Sequence, residues 1–358
     1  MIDELTLKKL NAPAKDERLL ALRAVAQQTD FPQINPRFIN NHIHTSYSFS
    51  PYSPAAAVFA ARSEGLCTAG IVDHDSMGGA MEFVEAGKIL KLPVTVGIEA
   101  RVSMKGTPFE RLRANNPDQV GISYMVLHAV PHRSIPKVQA YFVPLREHRN
   151  RRNRDMLKAI NNLAGMDLDF ERDVLPLSMA HDGGTVTERH LMQALARQEN
   201  PEGSMLEEYD RIGRLKMDFI PKVYIDATDE CPGFDDFIAF CDSTGGILAY
   251  PYLGDVTQSV TGDKKAQKFE DENLDLLFQI LNDHGVRAIT YMPTRNTDAQ
   301  LDRLRAMCES YDMMQISGED INSPRQSFII EKMKEERFSN LIQSTWHLIE
   351  HENGGVTA

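Results

Sequence analysis

Cysteine is scarce in this sequence, and the four that occur, Cys67, Cys231, Cys241 and Cys308, form no C-x-x-C pair. Neither a disulfide framework nor a thiolate zinc site is expected, and reduced, buried thiols are the default. Long apolar runs are missing too: nothing approaches the roughly 18 residues that cross a bilayer. The opening residues MIDELTLKKLNAPAKDERLL have neither the apolar core nor the small-residue cleavage site of a secretion signal. A cytoplasmic protein without membrane partners is expected. Basic charge is in deficit, 39 Lys and Arg against 51 Asp and Glu for a net charge of -12, which argues against general nucleic-acid binding. No G-x-x-x-x-G-K-[ST] or G-x-G-x-x-G element is present to cradle a nucleotide.

What is there suffices for one large α/β domain, alone or carrying an insertion. Residues 15–28 space Leu19, Leu20, Leu22, Val25 and Ala26 for a helix that the prolines of DFPQINP end, so residues 1–37 read as a helical arm. From Phe38 short apolar runs alternate with helical patterns: FINNHIH, a helix over SPAAAVFAARSEG, TAGIVDHD, a helix over GGAMEFVEAGKIL, then PVTVGIEARV. This rhythm predicts a parallel sheet under covering helices. It stops after YMVLHAVP, and residues 134–222 read as a mostly helical insertion. It resumes through GFDDFIAFCDSTG, GGILAYPYL, NLDLLFQILNDHG, RAITYM and MMQISGEDIN. Residues 38–133 and 223–358 are therefore assigned to one α/β barrel whose strand C-termini converge on a mouth.

In FINNHIH the two-residue period of a strand puts Phe38, Asn40, His42 and His44 on one face. Two such imidazoles can converge on one metal ion, or be a hydrogen-bonded pair closing a strand. Ligand-type residues recur at other strand ends: Asp73, His74 and Asp75 in GIVDHDS, Glu99 in VTVGIEAR, His128 in YMVLHAV, and Glu319 and Asp320 in ISGEDIN. Embedded in apolar runs, such groups are costly to bury unless paired or coordinated.

Taken in order, NNHIHTSYSFSP, AGIVDHDSMGGAMEF, VTVGIEARV, VLHAV, GGILAYPY and ISGEDIN resemble the motifs of the polymerase-and-histidinol-phosphatase (PHP) superfamily over residues 38–350. The resemblance implies a distorted (β/α)7 TIM-like barrel with one to three divalent ions of zinc, manganese or iron. It makes His42 and His44 ligands of one ion together with Asp320, Glu99 a bridging carboxylate, and His128 a ligand of a second. Asp73 and His74 match a further acidic and imidazole pair, which could also move protons to a leaving group. Two departures stand out. Tyr250 occupies the histidine position of an A-H-P motif, and Asn322 that of the last histidine in S-D-x-H. Tyrosine and asparagine are poor ligands, so one complete metal position and one or two weakened ones are expected, with Tyr250 and Asn322 left to face substrate. Glu319 could replace a missing ligand or be a solvated charge.

On the substrate side, Thr187 is placed to cap a helix with Arg189 and His190 in its first turn, a natural phosphate site. The segment resembles the R-x-H stretch of small-molecule PHP phosphoesterases; His190 could equally be a capping histidine. Arg149, Arg152 and Arg146 share a helix face, as a phosphate clamp or a solvated surface. The expected function is hydrolysis of a small phosphorylated metabolite or nucleotide by a metal-activated hydroxide. The alternatives are a catalytically weakened metal-binding regulator, or a hydrolase of C-N bonds.

Overall fold

The computed structural model describes residues 2–256 and 267–354. Seven strands form one sheet in chain order: β1 (Ile39–Ile43), β2 (Thr68–His74), β3 (Val94–Ser103), β4 (Ile122–His128), β5 (Ile247–Tyr252), β6 (Ala288–Tyr291) and β7 (Met314–Ser317). The first three strands are parallel, as are the last three, but β4 runs antiparallel to both neighbours. Between β3 and β4 there is no α-helix to carry the chain back across the sheet, so β4 returns beside β3 as a hairpin arm does. The outer edges meet through a parallel bridge from Ile43 to Ile321, so the sheet is a nearly closed, distorted barrel. The seven-stranded α/β architecture is as expected. Reversed β4 corrects one part of that expectation, since its C-terminal end points away from the mouth.

Helices α1 (Glu4–Leu10), α2 (Lys15–Ala26), α3 (Pro54–Ser63) and α4 (Ala80–Leu90) cover the first strands. Ser53 caps α3 by accepting the Ala56 N–H, and Pro54 starts the helix where no N–H is needed. The N-terminal arm is held by buried Arg18, whose Nε and Nη2 donate to Glu82 at 2.8 and 2.5 Å.

Helices α5 (Ile135–Ala164), α6 (Glu188–Glu199) and α7 (Met205–Val223) lie between β4 and β5. The start of α5 buries Ile135, Val138 and Phe142 in the main core, while Met156, Leu157 and Ile160 join Leu191, Leu195, Ile212 and Leu215 in a second core. The helical segment thus has its own apolar interior and shares one long helix with the barrel. Helices α8 (Phe234–Asp242), α9 (Leu274–Asp283), α10 (Asp298–Ser310) and α11 (Ser339–Glu352) complete the chain. Leu348 of α11 packs with Ala129, Ala249, Ala288 and Ile316, filling the end of the barrel opposite the mouth. No described helix is long and apolar enough to cross a membrane.

Candidate metal centre

At the mouth, β1, β2, β3 and the turn after β7 bring together His42, His44, His74, Glu99 and Asp320. His44 Nε2 lies 3.3 Å from Asp320 Oδ1 and 3.8 Å from Glu99 Oε2. His42 Nε2 is 3.6 Å from Glu99 Oε1, and His74 Nδ1 is 3.0 Å from Glu99 Oε2. The donor atoms of His42, His44 and Asp320 all lie within 4.8 Å of one another, and so do those of His44, His74 and Glu99. His44 belongs to both sets and Glu99 touches three imidazoles, so the two sets form one continuous cluster.

Burial alone would push the Glu99 carboxyl up, but the His42 and His74 imidazoles more than reverse this and hold it below the usual carboxylate range. Burial, then the neighbouring His44, pushes His74 down, favouring the neutral imidazole that ligates a metal. Buried His128 is pushed down to about 3, by burial first and His42 second, and its Nε2 has no hydrogen-bond partner among the described residues. Converging nitrogen and oxygen lone pairs without a bonded Arg or Lys fit a divalent ion that accepts mixed N and O ligands.

The histidines are held from behind. Asp73 accepts hydrogen bonds from Thr45 N, Thr45 Oγ1 and Ser48 Oγ, each 2.6 Å long, and Ser48 Oγ is 3.3 Å from His44 Nδ1. Gly318 permits the close approach of β7 to β1, for a Cβ there would lie 2.5 Å from His42 Cβ.

Residues 40–212 match the PHP domain family. The chain is thus similar to this family over just under half of its length. Among solved structures it is similar to a protein of Bifidobacterium adolescentis provisionally classed as a metal-dependent phosphoesterase, at 20% identity and a TM-score of 0.62, covering 87% of this chain and 98% of that one. It is also similar to an amidohydrolase from Chromobacterium violaceum with bound sulfate and no metal, at 15% identity and a TM-score of 0.61, covering 82% and 90%. No curated protein matches the sequence.

The mouth of the barrel is a cleft lined by His42, His74, Glu99, Asp320 and Asn322, with Tyr124, Tyr252, Arg189 and Lys216 around them. Asn322 Nδ2 donates to Asp320 Oδ1 at 2.6 Å, so this residue orients a carboxylate of the cluster. Arg189 of α6 lines the cleft. His190 does not line it: its ring is buried, Nδ1 accepts the Thr187 N–H at 2.9 Å, and burial and then Arg149 push it down to about 3. The geometry is that of a capping histidine.

Four other residues lie elsewhere than the sequence reading put them. Asp73 is enclosed by the Thr45 and Ser48 donors and is absent from both ligand sets, so its carboxylate faces the turn that carries His44 and not the cleft. His128 lies at the far end of antiparallel β4, opposite Ile247; the residue β4 presents to the cleft is Tyr124, paired with Arg101. Tyr250 is fully buried in the apolar layer outside the sheet, because the next residue, Pro251, is the one facing the cleft. Glu319 accepts the Thr294 N–H at 2.7 Å and joins neither ligand set.

Arg149 and Arg152 form no solvated face; both are buried. Arg152 bonds Glu188 and Glu230, Arg149 bonds Asp75 at 2.6 Å and Glu188 at 2.9 Å, and Arg101 of β3 bonds Glu188 and Glu230. Arg152 is therefore committed to carboxylates, while Arg146 donates to the Asp75 carbonyl at 2.7 Å. This network fixes the N-terminus of α6 above the mouth and so aims Arg189. The sequence reading missed Tyr124 and Lys216. Reversal of β4 would have pointed to Tyr124; a single lysine on α7 carries no sequence signal.

Proposed function

We propose that the protein is a metal-dependent hydrolase, a phosphoesterase acting on a small phosphorylated molecule. The carrying observation is the placement of Arg189 and Lys216 on the same cleft as the converging His42, His44, His74, Glu99 and Asp320. His42, His44 and Asp320 would hold one divalent ion, and His44, His74 and Glu99 a second. Such ions polarise a phosphoryl oxygen and lower the pKa of water. Arg189 and Lys216 neutralise the phosphoryl charge and orient it. Tyr124, whose hydroxyl burial pushes up and thus keeps protonated, can donate a hydrogen bond at the cleft wall. Asp73, Ser48 and Asn322 hold His44 and Asp320 in place.

Metal analysis of the purified protein, followed by a screen of Mn2+-, Zn2+- and Fe2+-loaded protein against phosphomonoesters and amides, tests this reading. Phosphate release that disappears on chelation is the expected result. Turnover of amides alone would replace it with C-N hydrolysis, and metal uptake without turnover would make the protein a metal-binding regulator.

A further inference from the structure

We infer that Asn40 is a positioning residue that holds the two sides of the metal-ligand cluster in register across the open seam of the barrel. The inference rests on the metal-centre reading above.

His42 and His44 belong to β1 and the residue after it, whereas Asp320 follows β7, and these strands form no regular ladder with each other. Near the ligands, among the described residues, the main chain supplies two bonds across the seam, His44 N to Ile321 O at 3.0 Å and Ile321 N to His42 O at 3.1 Å. Asn40, fully buried, supplies the next two with its side chain: Nδ2 donates to Glu319 O at 3.0 Å, and Oδ1 accepts from Glu319 N at 3.1 Å. The same Oδ1 accepts the His42 N–H at 3.0 Å. One primary amide thus acts as a missing peptide group, gripping both polar atoms of the residue before Asp320 and the backbone of His42.

Only asparagine fits this role. An aspartate keeps the acceptors but sets a carboxylate oxygen against the Glu319 carbonyl; leucine leaves the buried His42 N–H and both partly buried backbone groups of Glu319 without this partner. The neighbouring Asn41, also buried, provides a built-in control. Its Nδ2 crosses the seam to Ser317 O at 3.0 Å and to Thr345 Oγ1 at 2.7 Å, bonding nothing in the ligand cluster.

The test compares Asn40→Leu, Asn40→Asp and Asn41→Ala by three measurements: melting temperature without metal, Mn2+ affinity by calorimetry, and the crystal structure of the metal-free variant. All three variants are expected to melt lower. Mn2+ affinity is expected to fall about 10- to 100-fold for Asn40→Leu, as when supporting groups around a metal are lost, and less for Asn40→Asp. It should change little for Asn41→Ala. The His44–Asp320 contact of 3.3 Å should open beyond hydrogen-bonding range in the Asn40 variants and persist in Asn41→Ala. Should Asn40→Leu not fold, Asn40→Asp, which removes a single donor, decides. Unchanged contact and Mn2+ affinity in a folded Asn40 variant, or an equal affinity loss in Asn41→Ala, would overturn the inference. If the wild-type protein takes up no Mn2+, the metal reading fails, and the contact alone decides the role of Asn40.

Discussion

Two clusters of buried charge share the barrel mouth, and they are balanced in opposite ways. Arg101, Arg149 and Arg152 face Asp75, Glu188 and Glu230 in a network that neutralises itself through multiple hydrogen bonds. In the neighbouring cluster, imidazoles crowd Glu99 and Asp320, and no Arg or Lys bonds these carboxylates among the described residues. A self-neutral network has no further use for a ligand and serves to fix helices on a barrel. A cluster of converging lone pairs without its own cation is built to receive one. The kind of residue does not separate the two, since both draw on carboxylates; the identity of the bonded partner does.

Breaking each cluster should therefore give opposite signatures. Combining His42→Ala with Asp320→Ala is expected to abolish metal retention in elemental analysis and to reduce hydrolysis about a thousandfold or more, several kcal/mol of lost charge stabilisation. Its urea midpoint without metal should stay close to wild type, and the melting-temperature rise on adding Mn2+ should vanish. Glu188→Ala does the reverse. It takes one carboxylate partner from each of three buried guanidinium groups and should cost about 3–5 kcal/mol in urea unfolding, with or without metal. A Glu188→Ala protein that keeps wild-type stability would show that the network is not what fixes α6.

The comparison also explains what could be read in the sequence. The barrel was legible because apolar runs and helical periods alternate along the chain, and the candidate cluster because His42, His44, His74 and Asp320 lie at or just after strand ends, whereas Glu99 lies inside β3. His128 and Tyr250 were misplaced for a geometric reason: one strand reversal turns β4 end for end, and one residue of register turns a side chain from the inner to the outer face. Arg152 looked like a phosphate clamp since helical spacing shows which side chains share a face but not what packs against it. The partners of these arginines come from the turn after β2, α6 and the loop before α8, distant stretches whose meeting no local pattern announces.

A third buried carboxylate tests the same distinction by pH. Glu270 is bonded by backbone rather than by a cation among the described residues: Oε1 accepts the Leu253 N–H at 2.7 Å and the Gly254 N–H at 3.3 Å, and Oε2 has no hydrogen-bond partner there. Burial outweighs the opposing backbone hydrogen bonds and raises its pKa from 4.5 to about 7. Between these values the folded protein holds a proton that the unfolded chain has released, so stability should decline as pH rises from about 4.5 to 7 and stay lower above it. The loss is up to about 3 kcal/mol. Urea midpoints across that range should fall for wild type, whereas Glu270→Gln should remove this part of the decline. Equal slopes for the two proteins would mean that Glu270 ionises without penalty.

The smallest expected effect concerns Lys216, and it separates binding from catalysis at the cleft. Lys216 lies on α7 and reaches the mouth beside Arg189, but it is bonded neither into the arginine network nor to the ligand cluster. If its ammonium meets the phosphoryl group in the ground state as well as in the transition state, Lys216→Ala should raise KM about tenfold, near 1.4 kcal/mol, and leave kcat nearly unchanged. Lys216→Arg should recover most of the affinity, because charge is needed there more than a particular fork geometry. The wild-type KM should also rise with salt more steeply than that of Lys216→Ala, since screening weakens a partly exposed ion pair. A fall in kcat at constant KM would instead place the lysine against charge that develops only as the ester bond breaks.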